Sequence, residues 1–281
     1  MKVGFIDKYL DEWHANNMPT WLKDETQGEV SVKYAYAMMD SLNEGGLTSR
    51  AWADKEGVIL LDNIDELVQK SDAVVVLAPS YPELHERLSD SALKSGKCTY
   101  IDKSFAPDVQ SAKRMIDKAL INNTPMFSAS ALRFSKELKN IDKSNIKTLS
   151  MRGPGPLGMY CIHQIEPIIS LMGTEPEAVM FMGDEENPGY VIRFKDNRWA
   201  AAQHFDWNCP FNISIKYSDD KPSVYINECT DYFPRFVKEL VSFFKTRKLP
   251  VSYEETIAVI AVREAILRSK NNPGKWTDIN I

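Results

Sequence analysis

Lys103 follows Cys98-Thr99-Tyr100-Ile101, a short apolar, β-branched and aromatic run with the pattern of a strand covered on both faces. Just past the carboxyl end of a parallel strand is where open α/β sheets place their ligands. A lysine there can hydrogen-bond a hydroxyl or carbonyl and stabilise negative charge developing on it; a solvated strand-end lysine is the plain alternative. His163 lies in Tyr160-Cys161-Ile162-His163-Gln164-Ile165-Glu166, an apolar helical stretch. Imidazole titrates near neutrality and can take a proton from a hydroxyl, although a lone histidine in such a stretch also fits a satisfied core residue. Glu166 stands one helical turn on, either facing the same cleft or pairing with a nearby Arg or Lys. No further His or Cys lies at ligand spacing, so no metal is expected. Trp13, Trp21, Trp199 and Trp207 can wall a ring-binding site, and three of the four are expected to be plain packing.

These groups need a scaffold. Residues 2–6, 30–38, 73–78, 98–101 and 125–128 are short strand-like runs, and between them lie helical stretches at 64–70, 82–95 and 109–122. Asn63-x-x-Glu66 opens the first of these with a capping-box pattern, and Gly96 ends the second. Alternation of this kind implies right-handed crossovers and a doubly wound α/β domain over residues 1–130. Residues 131–281 change texture. Six strand-like runs (146–152, 177–183, 189–195, 198–205, 211–218, 223–228), joined by turns such as Glu186-Asn187-Pro188-Gly189, predict a mostly antiparallel sheet in an α+β domain. Two apolar helices, 233–246 and 253–270, close the chain, the last free to pack back on the first domain.

Bulk composition narrows the partners. The 281 residues are 43% hydrophobic and 26% charged, with a net charge of −5, which gives no electrostatic reason to expect nucleic acid or an anionic membrane. Asp7, Asp11 and Glu12 fall where a signal peptide would be apolar, and no apolar run approaches the roughly 20 residues of a membrane span. A cytoplasmic protein with a small-molecule substrate is expected. Cys98, Cys161, Cys209 and Cys229 are scattered without a CxxC pair, which points to reduced, mostly structural thiols.

Three segments resemble the Gfo/Idh/MocA family of nicotinamide-dependent sugar and polyol oxidoreductases, and together they follow that family's order along the chain. Val75-Val76-Leu77-Ala78-Pro79, His85, Ala92 to Lys97 and Ile101-Asp102-Lys103-Ser104-Phe105-Ala106 are similar to its strand, helix and "AGKHVxxEKPLA" signature, with Lys103 on the lysine. Gly158 to Gly173 looks like its "DxGxHxxD" helix, with His163 on the histidine and Glu166 on the last acid. Tyr232-Phe233 through Pro250-Val251-Ser252 to Ala265–Ser269 matches its closing helices. The resemblance implies a Rossmann-type first domain, NAD or NADP as cofactor and a homo-oligomer through the C-terminal sheet. It also implies Lys103 and His163 as catalytic residues and Glu166, Arg133 and Tyr160 as substrate contacts. Asp7, Lys8, Tyr9, Pro79, His85 and Lys103 fall at cofactor-binding positions, with His85 starting its helix and bordering the nicotinamide side. Arg133 has an interdomain salt bridge as its plain alternative.

The departures concentrate in the opening loop. Where the family has GxGxxG, this chain has Asp7, Tyr9 and Glu12, whose side chains would crowd a diphosphate and whose carboxylates would repel it. The family's aspartate four residues before the histidine is Met159, its intervening glycine Cys161, and the proline of "EKP" Ser104. A compromised dinucleotide pose is therefore expected. The alternative function is a redox-inactive family member that binds a small ligand or a protein.

Overall fold

The computed structural model covers residues 1–281 and divides into two compact units: Met1–Ala129 with Phe236–Tyr253, and Ser130–Arg235 with Glu254–Ile281.

In the first unit the chain alternates β1 (Lys2–Asp7), α1 (Trp13–Glu25), β2 (Ser31–Ala37), α2 (Ser49–Glu56), β3 (Ile59–Leu60), α3 (Ile64–Lys70), β4 (Ala73–Val76), α4 (Pro82–Leu93), β5 (Thr99–Ile101), α5 (Val109–Ile121) and β6 (Met126–Phe127). The strands form one parallel sheet in the order β3-β2-β1-β4-β5-β6, the doubly wound arrangement with its switch between β1 and β4. Central β4 is buried at every residue, as a parallel strand with helices on both faces must be. Side chains set the helix starts: Asn63 Oδ1 accepts from Glu66 N at 3.1 Å for α3, and Asp108 Oδ1 from Ser111 N at 2.7 Å for α5. Gly4 is glycine because α3 lies on β1; a Cβ there would meet Ser71 Oγ at 2.4 Å and Leu67 Cδ2 at 2.5 Å.

The five sequence-derived strands are all present, and β3 is a sixth. Its two residues are too short to show a period. Helices α1 and α2 also lie outside the sequence-derived set. The first carries Pro19 in a polar run, and the second is an eight-residue helix held by its ends, Thr48 capping Ala51 N and Gly57 in the left-handed region at φ +67°.

The second unit contains β7 (Ile146–Pro154), α6 (Leu157–Met172), β8 (Pro176–Met182), β9 (Gly189–Phe194), β10 (Trp199–Phe205), β11 (Asn212–Tyr217) and β12 (Val224–Ile226). Two long helices follow, α7 (Tyr232–Thr246) and α8 (Tyr253–Ser269), then β13 (Trp276–Asp278). The seven strands run β12-β11-β7-β10-β9-β8-β13, antiparallel at every pairing but β7 with β10. From Phe236 onward α7 counts with the first unit. Phe236 packs against Tyr100 at 5.2 Å between ring centroids and Phe243 against Phe127 at 4.8 Å, whereas α8 counts with the second unit. No helix is long and apolar enough to cross a membrane, and all four cysteines are free thiols.

Candidate active site

In the first unit, charge gathers at the carboxyl ends of β1, β4 and β5. Asp7 ends β1 with its side chain turned inward. Its Oδ1 accepts from Lys8 N at 2.6 Å and from Ala78 N at 2.9 Å, tying β1 to the chain leaving β4. Burial, with the Glu12 carboxylate nearby, pushes the Asp7 carboxyl well above the usual carboxylate range. This corrects the expectation of an Asp7 carboxylate projecting at a diphosphate: the group is interior and favours its neutral form. Glu12 instead caps α1, its carboxylate accepting from His14 N at 2.9 Å and from Ala15 N. Asp11 accepts from Leu47 N at 2.7 Å and from Asn16 Nδ2 at 2.9 Å. The loop is thus held by its own acids.

Asp102 and Lys103 leave β5 beside this loop. Asp102 Oδ2 is buried without a hydrogen bond, 3.7 Å from Lys103 Nζ and 3.7 Å from His14 Nδ1, while Tyr100 Oη lies 2.8 Å from Oδ1. Burial opposes ionisation of Asp102, yet His14, Lys103 and the Tyr100 bond together hold its carboxyl below the usual range. Lys103 Nζ also donates to Pro79 O at 3.2 Å, and its side chain is only 13% exposed. The solvated-lysine alternative is therefore excluded. The sequence reading passed over Asp102 and His14. A histidine in the first turn after a carboxylate-rich loop, and an acid directly past a buried strand, were the available signals.

The remaining first-unit candidates are taken up by neighbours. Lys8 Nζ sits 3.4 Å above the Tyr81 ring, and Tyr9, hydrogen-bonded to Tyr81, has its hydroxyl pushed up to about 12, mainly by burial. Ala78, which Asp7 holds, lies in the left-handed region at φ +60°. His85 is fully buried within α4, its Nδ1 3.0 Å from Phe105 O and its Nε2 3.1 Å from Ala78 O. Burial holds the imidazole below its ordinary value, so a neutral ring donates to one of these carbonyls. Inside the packing, His85 neither starts the helix nor borders a cleft, contrary to expectation.

In the second unit, α6 carries His163 and Tyr160 half-exposed and Glu166 buried. His163 Nδ1 lies 2.7 Å from Ser130 Oγ, and its ring packs edge-on against Tyr160 at 4.9 Å and Phe211 at 6.0 Å. Trp207 meets Tyr160 at 4.9 Å and is 62% exposed. Gly155 lies beneath that pair at φ +79°, where a Cβ would touch Tyr160 at 2.8 Å. Trp13 and Trp199 are exposed as well, and Trp13 packs edge-on against His14 and Trp21. Glu166 and Arg133 join each other. Arg133 Nη1 donates to Glu166 Oε2 at 2.7 Å and Nη2 to Glu255 Oε2, all within this unit rather than between domains. Burial raises the Glu166 carboxyl above its ordinary range against the pull of Arg133.

A dinucleotide's diphosphate in this fold accepts from N–H groups at the first helix's N-terminus, over a loop whose glycines let the backbone come close. Here Glu12 already accepts from His14 N and Ala15 N, and Asp7 and Asp11 take up Lys8 N, Ala78 N and Leu47 N. The residues present do not fit a diphosphate at the usual place. No group of three or more His, Cys, Asp or Glu is arranged to hold a metal ion.

Residues 28–127 match the family described as "Oxidoreductase family, NAD-binding Rossmann fold", GFO_IDH_MocA. Among solved structures, myo-inositol dehydrogenase from Lactobacillus casei, in complex with NAD(H) and myo-inositol, superposes with a TM-score of 0.79 at 14% identity, covering 100% of this chain and 97% of that one. The WlbA dehydrogenase from Bordetella pertussis, in complex with NADH and UDP-GlcNAcA, gives 0.77 at 14% identity, with 100% and 99% covered. Myo-inositol 2-dehydrogenase from Lactobacillus plantarum gives 0.73 at 15%, with 99% of both chains covered. No curated protein matches by sequence. Over residues 28–127, within its Rossmann-type unit, this chain is similar to the Gfo/Idh/MocA oxidoreductase family, an NAD-binding one.

Proposed function

We propose that this chain is an oxidoreductase that moves a hydride between NAD or NADP and a secondary hydroxyl of a sugar, polyol or related small molecule, with Lys103 and His163 as its catalytic residues. The observation that carries the reading is Lys103, held nearly buried between Pro79 O and Asp102 at the carboxyl end of β5, in the domain that bears the family match. An ammonium fixed there hydrogen-bonds the substrate oxygen and stabilises negative charge on it. His163, hydrogen-bonded to Ser130 through Nδ1, is the imidazole that takes the hydroxyl proton. Tyr160, Glu166 and Arg133 belong to the same proposal as substrate-side residues, the last two acting through the order that their ion pair gives α6. The sugar and polyol class draws on the myo-inositol and UDP-GlcNAcA bound by the structural neighbours. A cytoplasmic homo-oligomer, joined through the C-terminal sheet, completes the proposal.

The test is NAD- or NADP-linked oxidation of a panel of polyols and sugars that includes myo-inositol. Turnover is expected, with Lys103→Ala and His163→Ala each lowering it at least about tenfold, roughly 1.4 kcal/mol, while circular dichroism stays unchanged. Turnover indifferent to both substitutions sinks the roles given to them. One observation favours a second reading, a redox-inactive family member that binds a small ligand or a protein: Glu12 fills the α1 N-terminus. Absence of turnover across the panel, with either cofactor, selects it.

A further inference from the structure

We propose that Glu12 is a built-in occupant of the anion seat at the α1 N-terminus, so that the Rossmann unit takes its ligands without a phosphate at that point. The inference concerns the first unit alone and stands apart from any redox activity.

Three acids of one six-residue loop consume five backbone N–H groups. Asp7 takes Lys8 N and Ala78 N, Asp11 takes Leu47 N, and Glu12 takes His14 N and Ala15 N. The last two are the donors that the N-terminus of a 13-residue helix would offer to an incoming anion. A tethered carboxylate meets them at an effective concentration of at least the mM range, against which a free phosphate group competes poorly. Exchanging one anion for another on the same donors brings little net gain. The displaced Glu12 would also remain beside the phosphate, a like-charge contact that opposes binding. The surroundings hold the carboxylate in place. Leu10 is fully buried, fixing the loop from beneath, and Glu12 Oε2 lies 3.5 Å from His14 Nδ1. Asp102 Oδ2, buried without a hydrogen bond 3.7 Å beyond that same Nδ1, is an acceptor, so the wall past Glu12 calls for a hydroxyl or ammonium donor rather than for another anion.

Glu12→Ser separates the carboxylate from the cap. Serine is a strong N-cap, so α1 keeps a start signal while the seat loses its occupant; Glu12→Gly, the residue type of the usual loop, is the second variant. The probe is ADP, which carries the diphosphate and no nicotinamide, titrated calorimetrically into the full-length protein and both variants, with thermal unfolding to show that each is folded. The unaltered protein should give no saturable heat below about 1 mM ADP. At least one folded variant should bind ADP ten times more tightly than the unaltered protein or better. Micromolar ADP binding by the unaltered protein overturns the proposal, as does ADP binding by the folded variants that matches it. Because turnover plays no part in the readout, a failed oxidoreductase assay leaves this inference intact, and the converse holds.

Discussion

Asp7 is an interior acid whose Oδ1 joins β1 to the segment after β4. Its folded carboxyl lies above the ordinary value of 3.8, so the fold favours the protonated form. That contribution is fully present below about pH 3.8 and is lost as pH rises through the folded value. Asp7→Asn keeps an oxygen for Lys8 N and Ala78 N but cannot ionise. It should raise the unfolding midpoint at pH 7, with the advantage shrinking as the pH is lowered toward 4; an equal midpoint at pH 7 contradicts the placement. Arg133 makes the opposite case. Its guanidinium lies between two carboxylates with side-chain exposures of 6% and 27%, and removing it takes that cation away from buried Glu166. Arg133→Leu should cost about 3–5 kcal/mol in chemical denaturation, the usual size for breaking a buried pair. A loss under about 1 kcal/mol would mean that solvent reaches the cluster.

Elements with a period were legible and elements without one were not. The second-unit strands were placed within a residue or two because alternation along β7 to β11 survives in the letters, as in the exposed-buried alternation of β10. Two-residue β3, three-residue β13 and the capped helix α2 carry no such repeat. The site was legible where a residue follows an element end, as Lys103 follows β5 and His163 lies on α6. It was not legible where a contact joins distant segments, as in His14 to Asp102 or Asp11 to Leu47. The same limit applies at Gly155, whose need for glycine comes from Tyr160 and Trp207 above it and from its left-handed φ. Gly155→Ala should destabilise by roughly 1–3 kcal/mol through strain and overpacking. Its effect should also reach the Tyr160–Trp207 pair, seen as a change in near-UV dichroism. An unchanged stability would place the two rings elsewhere.

At the scale of the molecule, a Rossmann-type unit with a family match carries an opening loop whose acids hold their own backbone, and a second unit adds the mostly antiparallel sheet and the α6 histidine. Fold was readable from alternation of elements, but function is set at particular atoms and does not follow from the architecture. The central claim is that this scaffold still works with a nicotinamide cofactor, held by groups other than the usual phosphate loop. Titration of the purified protein with NADH and with NADPH, followed through fluorescence of its six tryptophans, tests it most directly. Saturable quenching by one of the two, with a dissociation constant of about 0.1–1 mM or some 4–5.5 kcal/mol of binding free energy, is the predicted result. No response to either at millimolar concentration would contradict it.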